Sequence, residues 1–162
     1  MSDSRLSRAA DLVRLEGWFL DNRDWDAWLN LYARTATYWL PCWLDEDNYT
    51  SDPNRQMSLI YYPNRNGLED RVFRIRTDQS LASLPLPRTC HITSVITTAL
   101  EEDNIVVQSN WVVYSYKLGK QHNFFGQQRH TFETDGQDLK IVSRKIILAN
   151  DIIPNVLDIY SI

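Results

Sequence analysis

The chain has 162 residues, with 17 lysines and arginines against 21 aspartates and glutamates, a net charge of −4. Such a length suits a single domain over 1–162 that buries roughly 68–70% of its unfolded surface without help from a metal or disulfide. The acidic balance excludes the broad electropositive footprint of a nucleic-acid binder, and no apolar run reaches the ~18–20 residues needed to span a membrane.

The first segment is helical. Leu6, Ala10, Val13, Gly17 and Leu20 recur at spacings of four and three, widened by Leu12, Leu15 and Phe19, while Arg5, Arg8, Arg14 and Glu16 fall mostly off the stripe. A break at Asp21–Arg23 leads to Asp24, an N-cap residue type, and to a short helix with Trp25, Trp28, Leu29 and Tyr32 on one face. Two amphipathic helices so close in sequence predict a packed hairpin. The helical part is thus expected over about 1–34, and again over about 66–78. There Leu68, Val72 and Ile75 share a face, with acids first and arginines last.

Between these lie a β-rich run from Thr35 to Trp43 stopped near Pro41, an acidic loop from Asp45 to Arg55, and a short strand at 58–62 ended by Pro63. From Arg88 the hydrophobic period becomes two. Four long segments, roughly 88–101, 104–118, 122–134 and 138–150, are separated by short polar turns, which is the pattern of an antiparallel meander. Strands that long must twist and curl. Helices followed by a curled sheet spanning mainly 88–150 make an α+β fold, with the helices on the concave face.

The strand at 104–118 carries Ile105, Val107, Trp111 and Val113 on one side and Val106, Val112, Tyr114, Tyr116 and Leu118 on the other. A half-buried strand should have one polar side. Two apolar sides, together with six Trp and eight Tyr in the chain, point to a second covered surface, by self-association or a partner; the alternatives are an ordinary sheet with stray surface aromatics and a large core or pocket that takes them up. The tail, 151–162, is too apolar to dangle and should dock on its own domain or on a neighbour.

The chemistry is sparse. His122 and His130 share a face of one predicted strand but stand roughly 27 Å apart along extended chain, so a two-histidine, one-carboxylate iron site would need His91 with only one of them. An iron–sulfur cluster of two Cys and two His has only the adjacent Cys90–His91 to draw on. The chain is read as holding no metal and no cofactor of its own. Cys90 and His91 point to opposite faces of a strand, which removes a Cys–His nucleophile. The five glycines are scattered singly and form no phosphate loop. Asp24, Asp26, Tyr38, His91 and His130 remain as candidates for acid–base work inside an apolar cone. The stripe of Arg71, Arg74 and Arg76 could attract an acidic ligand, but is read as a solvated or ion-paired helix face. Cys42 and Cys90 make no disulfide framework, and the N-terminus has no secretory apolar core, so a cytoplasmic location is expected.

Several strings together resemble a known family. Leu20-Asp21-Asn22-Arg23-Asp24-Trp25-Asp26-Ala27-Trp28-Leu29-Asn30-Leu31-Tyr32 resembles the opening of small (β) subunits of aromatic-ring-hydroxylating dioxygenases, and Tyr38-Trp39-Leu40-Pro41 is similar to their "Y/F-W-x-P" strand. Ser58 to Arg65 followed by Gly67 to Ile75 is similar to the benzoate, toluate and anthranilate branch, and Lys145 to Asp151 to the last strand of the family. Arg88 to Val95 departs from the pattern: Pro87 stands where Ser is common, and Val95 follows Ser94 without the usual Asn.

The resemblance implies a cystatin-like (nuclear-transport-factor-like) cone and a non-catalytic structural subunit. It implies that a Rieske [2Fe-2S] cluster and a mononuclear Fe(II) reside in a large α subunit. The partners it implies are a homotrimer of this chain and an α3β3 assembly, with no nucleic acid and no membrane, in degradation of an aromatic carboxylate using electrons from NADH. No catalytic residue carries over. Tyr61, Tyr62, Arg65, Tyr114, Tyr116 and Tyr160 are the candidate subunit-interface residues. Two other readings compete: a stand-alone cone-fold dehydratase or isomerase using a His–Asp pair, and a simple binder of aromatic acids.

Overall fold

A computed structural model describes residues 2–79, 84–151, 153 and 157–162, with nothing described of the Ser2 side chain. In chain order the elements are α1 (Ser2–Asp21), α2 (Trp25–Asn30), β1 (Tyr32–Pro41), β2 (Ser58–Tyr62), α3 (Asn66–Arg76), β3 (Arg88–Glu101), β4 (Asn104–Lys117), β5 (Lys120–Asp135), β6 (Asp138–Leu148) and a terminal 3-10 turn (Ile159–Ser161). The fold is α+β, as the switch in hydrophobic period predicts.

The four long strands form the antiparallel meander. Two-residue turns join them, and at Leu118-Gly119 both residues have positive φ, 50° and 77°, the handedness that matches twisted strands. The full sheet has the order β2-β1-β6-β5-β4-β3, with β1 parallel to β6 and every other pair antiparallel. The parallel insertion of β1 beside β6 is invisible to local pattern, because it joins residues more than a hundred apart.

The helices and tail lie on the inner face, which carries His91, Trp111, Val113, Phe124, His130, Ile141, Ile146 and Leu148. Asp24 caps α2 by accepting from the Ala27 N–H at 3.2 Å, as its residue type suggested. Two expectations need correction. The second helix stops at Asn30, and Tyr32 opens a strand, because its β-propensity and its pairing with Ile141 outweigh the helical spacing. Glu16, placed off the apolar stripe of α1, is buried among Val13, Gly17 and Leu20. Of the tail, 152 and 154–156 lie outside the described residues. Residues 158–162 are buried against their own chain, and Arg71 of α3 pairs with Asp158.

Candidate functional site

The sheet curls around a polar hub at the centre of the cone. Glu16 projects from α1 at 2% exposure, because α1 presents residues three and four apart to the sheet. Four side chains from four other elements converge on its carboxylate. Trp28 of α2 donates its Nε1–H to Oε2 at 3.1 Å, and the Tyr32 hydroxyl of β1 donates to the same oxygen. His130 Nε2 of β5 lies 2.7 Å from Oε1, and Arg144 Nη1 of β6 lies 3.4 Å from Oε2. Arg144 in turn donates to Gln128 Oε1 from Nη2 at 2.9 Å and from Nε at 3.2 Å, and stacks over the Tyr38 ring at 5.3 Å.

Burial raises the Glu16 pKa, but the Arg144 charge and His130 overcome it and hold the carboxyl down at about 2. Burial depresses the His130 pKa against the pull of Glu16, so the ring is neutral at pH 7. Its Nε2–H then donates to Glu16. Its Nδ1 is buried and has no hydrogen-bond partner among the described residues. Burial also raises the Tyr38 pKa and that of Tyr32, the latter reinforced by the Glu16 charge, so neither phenol ionises near neutrality.

A second carboxylate–imidazole pair stands at the mouth of the cone. Asp21, the last residue of α1, accepts from the His91 backbone N–H at 2.8 Å and from Thr89 Oγ at 2.8 Å, and its Oδ1 lies 2.5 Å from His91 Nδ1. Burial raises the Asp21 pKa, but its hydrogen bond with His91 and the other donors bring it below the usual carboxylate range. The other ring nitrogen, His91 Nε2, lies 3.3 Å from the carbonyl oxygen of Ile162. Gly17 makes this approach possible: a Cβ there would sit 2.5 Å from His91 Cβ. Among the described residues, the space lined by Val13, Glu16, Gly17, His91, Gln128, Arg144 and Ile162 is about 10 Å³. That is at the lower limit for a single water.

The residues nominated for acid–base work are therefore divided. His91 and His130 each face their own carboxylate, Tyr38 lies under Arg144, Asp24 is an exposed cap, and Asp26 pairs on the surface with Arg76 at 2.8 Å. Cys90 points outward, opposite to His91. Arg74 pairs with Asp70 at 3.2 Å, in keeping with an ion-paired helix face. Glu16, Asp21 and Arg144 are the functional-looking residues that the pattern reading missed. The signal for Glu16 was its position three after Val13 and four before Leu20. For Arg144 it was the alternation with Ile146 and Leu148 that sets it on the inner face.

No three His, Cys, Asp or Glu side chains among the described residues converge where an ion would be held. Among the described residues the imidazole–carboxylate sets are pairs, Glu16 with His130 and Asp21 with His91, which do not make up the two-histidine, one-carboxylate or the two-cysteine, two-histidine pattern.

The outer face of the sheet is different in character. Ile92, Val112, Tyr114, Phe125 and Ile147, flanked by Trp43, line an open groove of about 730 Å³ whose polar lining is neutral: Ser94, Asn110, Asn123 and Gln127. Tyr114 and Tyr116 are exposed here, and the Arg88 guanidinium lies 5.2 Å over the Tyr116 ring. Tyr61 is half-buried on the edge strand β2. The other three interface candidates are engaged internally. Tyr62 packs on the Tyr38 ring at 6.1 Å, Arg65 donates to the Tyr32 carbonyl at 2.9 Å while pairing with Glu69, and Tyr160 is 5% exposed within its own chain. The side chains of Ile159, Tyr160 and Ile162 turn into the cone, so this part of the tail docks on its own domain, one of the two expected dispositions.

The profile of the family described as ring hydroxylating beta subunit matches residues 16–155. The benzoate 1,2-dioxygenase subunit beta of Acinetobacter baylyi is 43% identical over 158 residues, covering 97% of this chain and 94% of that one. Among solved structures, the beta subunit of the benzoate 1,2-dioxygenase from Burkholderia mallei superposes with a TM-score of 0.79 at 38% identity, covering 96% of each chain. An NTF2-like protein with a cystatin-like fold from Novosphingobium aromaticivorans superposes with a TM-score of 0.60 at 16% identity, covering 85% of this chain and 77% of that one, a likeness of fold alone.

Proposed function

Because this chain belongs to the ring hydroxylating beta subunit family, we propose that it is the non-catalytic small subunit of a benzoate-type oxygenase. The whole enzyme adds both atoms of O₂ to the ring of an aromatic carboxylate, with electrons drawn from NADH. In this reading the Rieske cluster and the mononuclear iron belong to a large partner subunit, and this chain contributes support. A homotrimer of it underlies three large subunits as α3β3 in the cytoplasm. Two free thiols suit a reducing compartment. No helix among the described residues is long and apolar enough to cross a membrane.

The observation that carries this reading is the closed cone. An enzyme working inside such a cone needs room for a substrate beside its acid–base pair. Here both pairs are bonded, and about 10 Å³ is left between them. Among the described residues the two carboxylate–imidazole pairs, Glu16–His130 and Asp21–His91, are what would favour a stand-alone dehydratase or isomerase, and both are held by contacts within the chain. The apolar outer groove supports the subunit reading further, since exposed Ile92, Tyr114 and Phe125 on one sheet face are the composition of a surface meant to be covered.

The test is purification of the chain alone and with a Rieske-type large subunit. Alone it is expected to contain no stoichiometric iron by elemental analysis and to turn over nothing. Together they should co-purify and, when NADH and a reductase that passes its electrons on are supplied, consume O₂ with benzoate. Iron bound at one equivalent in the lone chain, or unaided isomerase or dehydratase turnover, refutes the proposal.

A further inference from the structure

Two surface features at one end of the sheet complement each other. The first is the turn between β4 and β5, where Leu118 is 76% exposed and has a φ of 50°. A left-handed backbone suits Gly, Asn or Asp in a two-residue hairpin turn, and a leucine there is strained. The other non-glycine residues with positive φ among those described are Arg23, Asp78 and Glu102, all polar. Glu102 sits in the neighbouring β3–β4 turn, so the apolar choice is particular to the β4–β5 hairpin. Turn strain together with apolar exposure does nothing for the lone chain; both are accounted for when a partner buries the side chain. Lys117 and Lys120 flank it, which makes the tip an apolar knob between two cations.

The second feature is an open cleft of about 470 Å³ beside the loop after β1, walled by Trp43, Leu44 and Leu59 and rimmed by Asp45, Glu46 and Asp151. Leu44 is 61% exposed, and the three acids are exposed as well. The cleft is preformed. Asp45 folds its own loop by accepting from the Asp47 and Asn48 N–H groups at 2.8 Å, and Trp43 donates to the Leu148 carbonyl at 2.5 Å. Asn150, also in the cleft wall, accepts from the Phe125 N–H at 3.0 Å and donates to the Asn123 carbonyl at 3.3 Å, which ties the cleft to the second strand of the hairpin. Trp43 lines the outer groove too, so cleft and groove form one continuous surface.

We propose that the cleft takes the β4–β5 turn of a second copy of this chain: Leu118 of one protomer packs among Trp43, Leu44 and Leu59 of the next, with Lys120 set against Glu46 and Asp151. Charge decides the occupant. An acid-rimmed apolar cleft repels an acidic segment and selects a basic one, and an exposed leucine between two lysines is such a segment, present on this same chain. The contact joins two different patches, so it is heterologous and repeats from copy to copy until a ring closes. Because tip and cleft are held on one frame, the angle between them is fixed, and with it the number of members. The proposal rests on the homotrimer given above and assigns the residues through which its copies meet. Burial of Leu118 supplies the attraction, while the solvent-exposed charge pairs set register more than strength.

The experiment uses the full chain alone, in sedimentation velocity at low salt, where the unsubstituted chain is expected to run as a trimer. Leu118→Asn suits the left-handed turn better than leucine, so it should keep the far-ultraviolet spectrum while weakening association by about tenfold. Lys120→Glu and Glu46→Lys each place like charges across the contact and should dissociate the ring. Both in one chain restore opposite charges at every contact and should restore the trimer. A monomeric or dimeric unsubstituted chain, a Leu118→Asn variant that associates like its parent, or a doubly reversed variant that stays apart overturns the proposal. So does a Leu118→Asn trimer that no longer co-purifies with the large subunit, since the turn then serves that subunit instead. The subunit reading itself is decided separately, by iron content and co-purification.

Discussion

At the scale of single residues, Glu16 is the point on which the interior depends. A buried ion pair adds little net stability, yet removing one partner strands the other and costs about 3–5 kcal/mol. The pH dependence follows from the two shifts. In the unfolded chain His130 takes up a proton near its ordinary 6.5, while the buried ring resists it. The unfolded state therefore binds more protons below that pH, and stability falls. Glu16 protonates near 4.5 when unfolded but holds out to about 2 when folded, so its contribution is complete above pH 4.5 and is lost as the pH drops towards 2. Melting temperature should decline in two stages on acidification, each at most about 1.4 kcal/mol per pH unit. His130→Gln keeps a donor for Glu16 but cannot titrate, and should erase the upper stage alone. A variant whose profile between pH 6.5 and 4.5 overlays the parent would contradict this assignment. Glu16 was legible in principle from helical spacing; the reason to bury a carboxylate there was not, since its partners come from four distant elements.

At the scale of elements, the contact of α1 with β3 sets the mouth of the cone. Gly17 lets the helix ride against His91, whose Cβ would lie 2.5 Å from any added Cβ. In an exposed helix interior Gly→Ala stabilises by about 0.5–1 kcal/mol. Here the clash is with an atom fixed to the backbone, and overpacking of this kind costs about 1–3 kcal/mol. Gly17→Ala is thus expected to lower stability in a urea titration; a gain would mean that the helix slides freely on the strand. Local pattern placed the long strands to within a few residues, because alternation and two-residue turns are written into contiguous sequence. It mistook Tyr32 for helix because the residue completes an aromatic face with Trp25 and Trp28 at helical spacing. Only the pairing of Tyr32 with Ile141 resolves that ambiguity.

At the scale of the molecule, the sheet has two apolar faces with different fates. The inner face is consumed by α1, α2, α3 and the tail, whereas the outer one leaves Phe125 at 47% exposure and Tyr114 at 40% beside the neutral groove. In the proposed subunit, covering that face is what assembly does. Phe125→Glu puts a charge where desolvation is required, without touching the core. It should leave the far-ultraviolet spectrum and melting temperature of the lone chain within experimental error. In sedimentation velocity it should abolish association with itself or with the large subunit. An unaltered sedimentation profile would place the interface elsewhere.

Composition and contiguous pattern were enough to determine the α+β class, the meander, the short capped helix and the outward turn of Cys90, because each depends on neighbours in sequence. The convergence of Trp28, Tyr32, His130 and Arg144 on Glu16, the parallel seating of β1 beside β6, and the entry of Ile162 into the cone were decided by tertiary structure alone. A buried charge is tolerable only when partners arrive from elsewhere in the chain, and a one-dimensional pattern carries no record of which distant residues those will be.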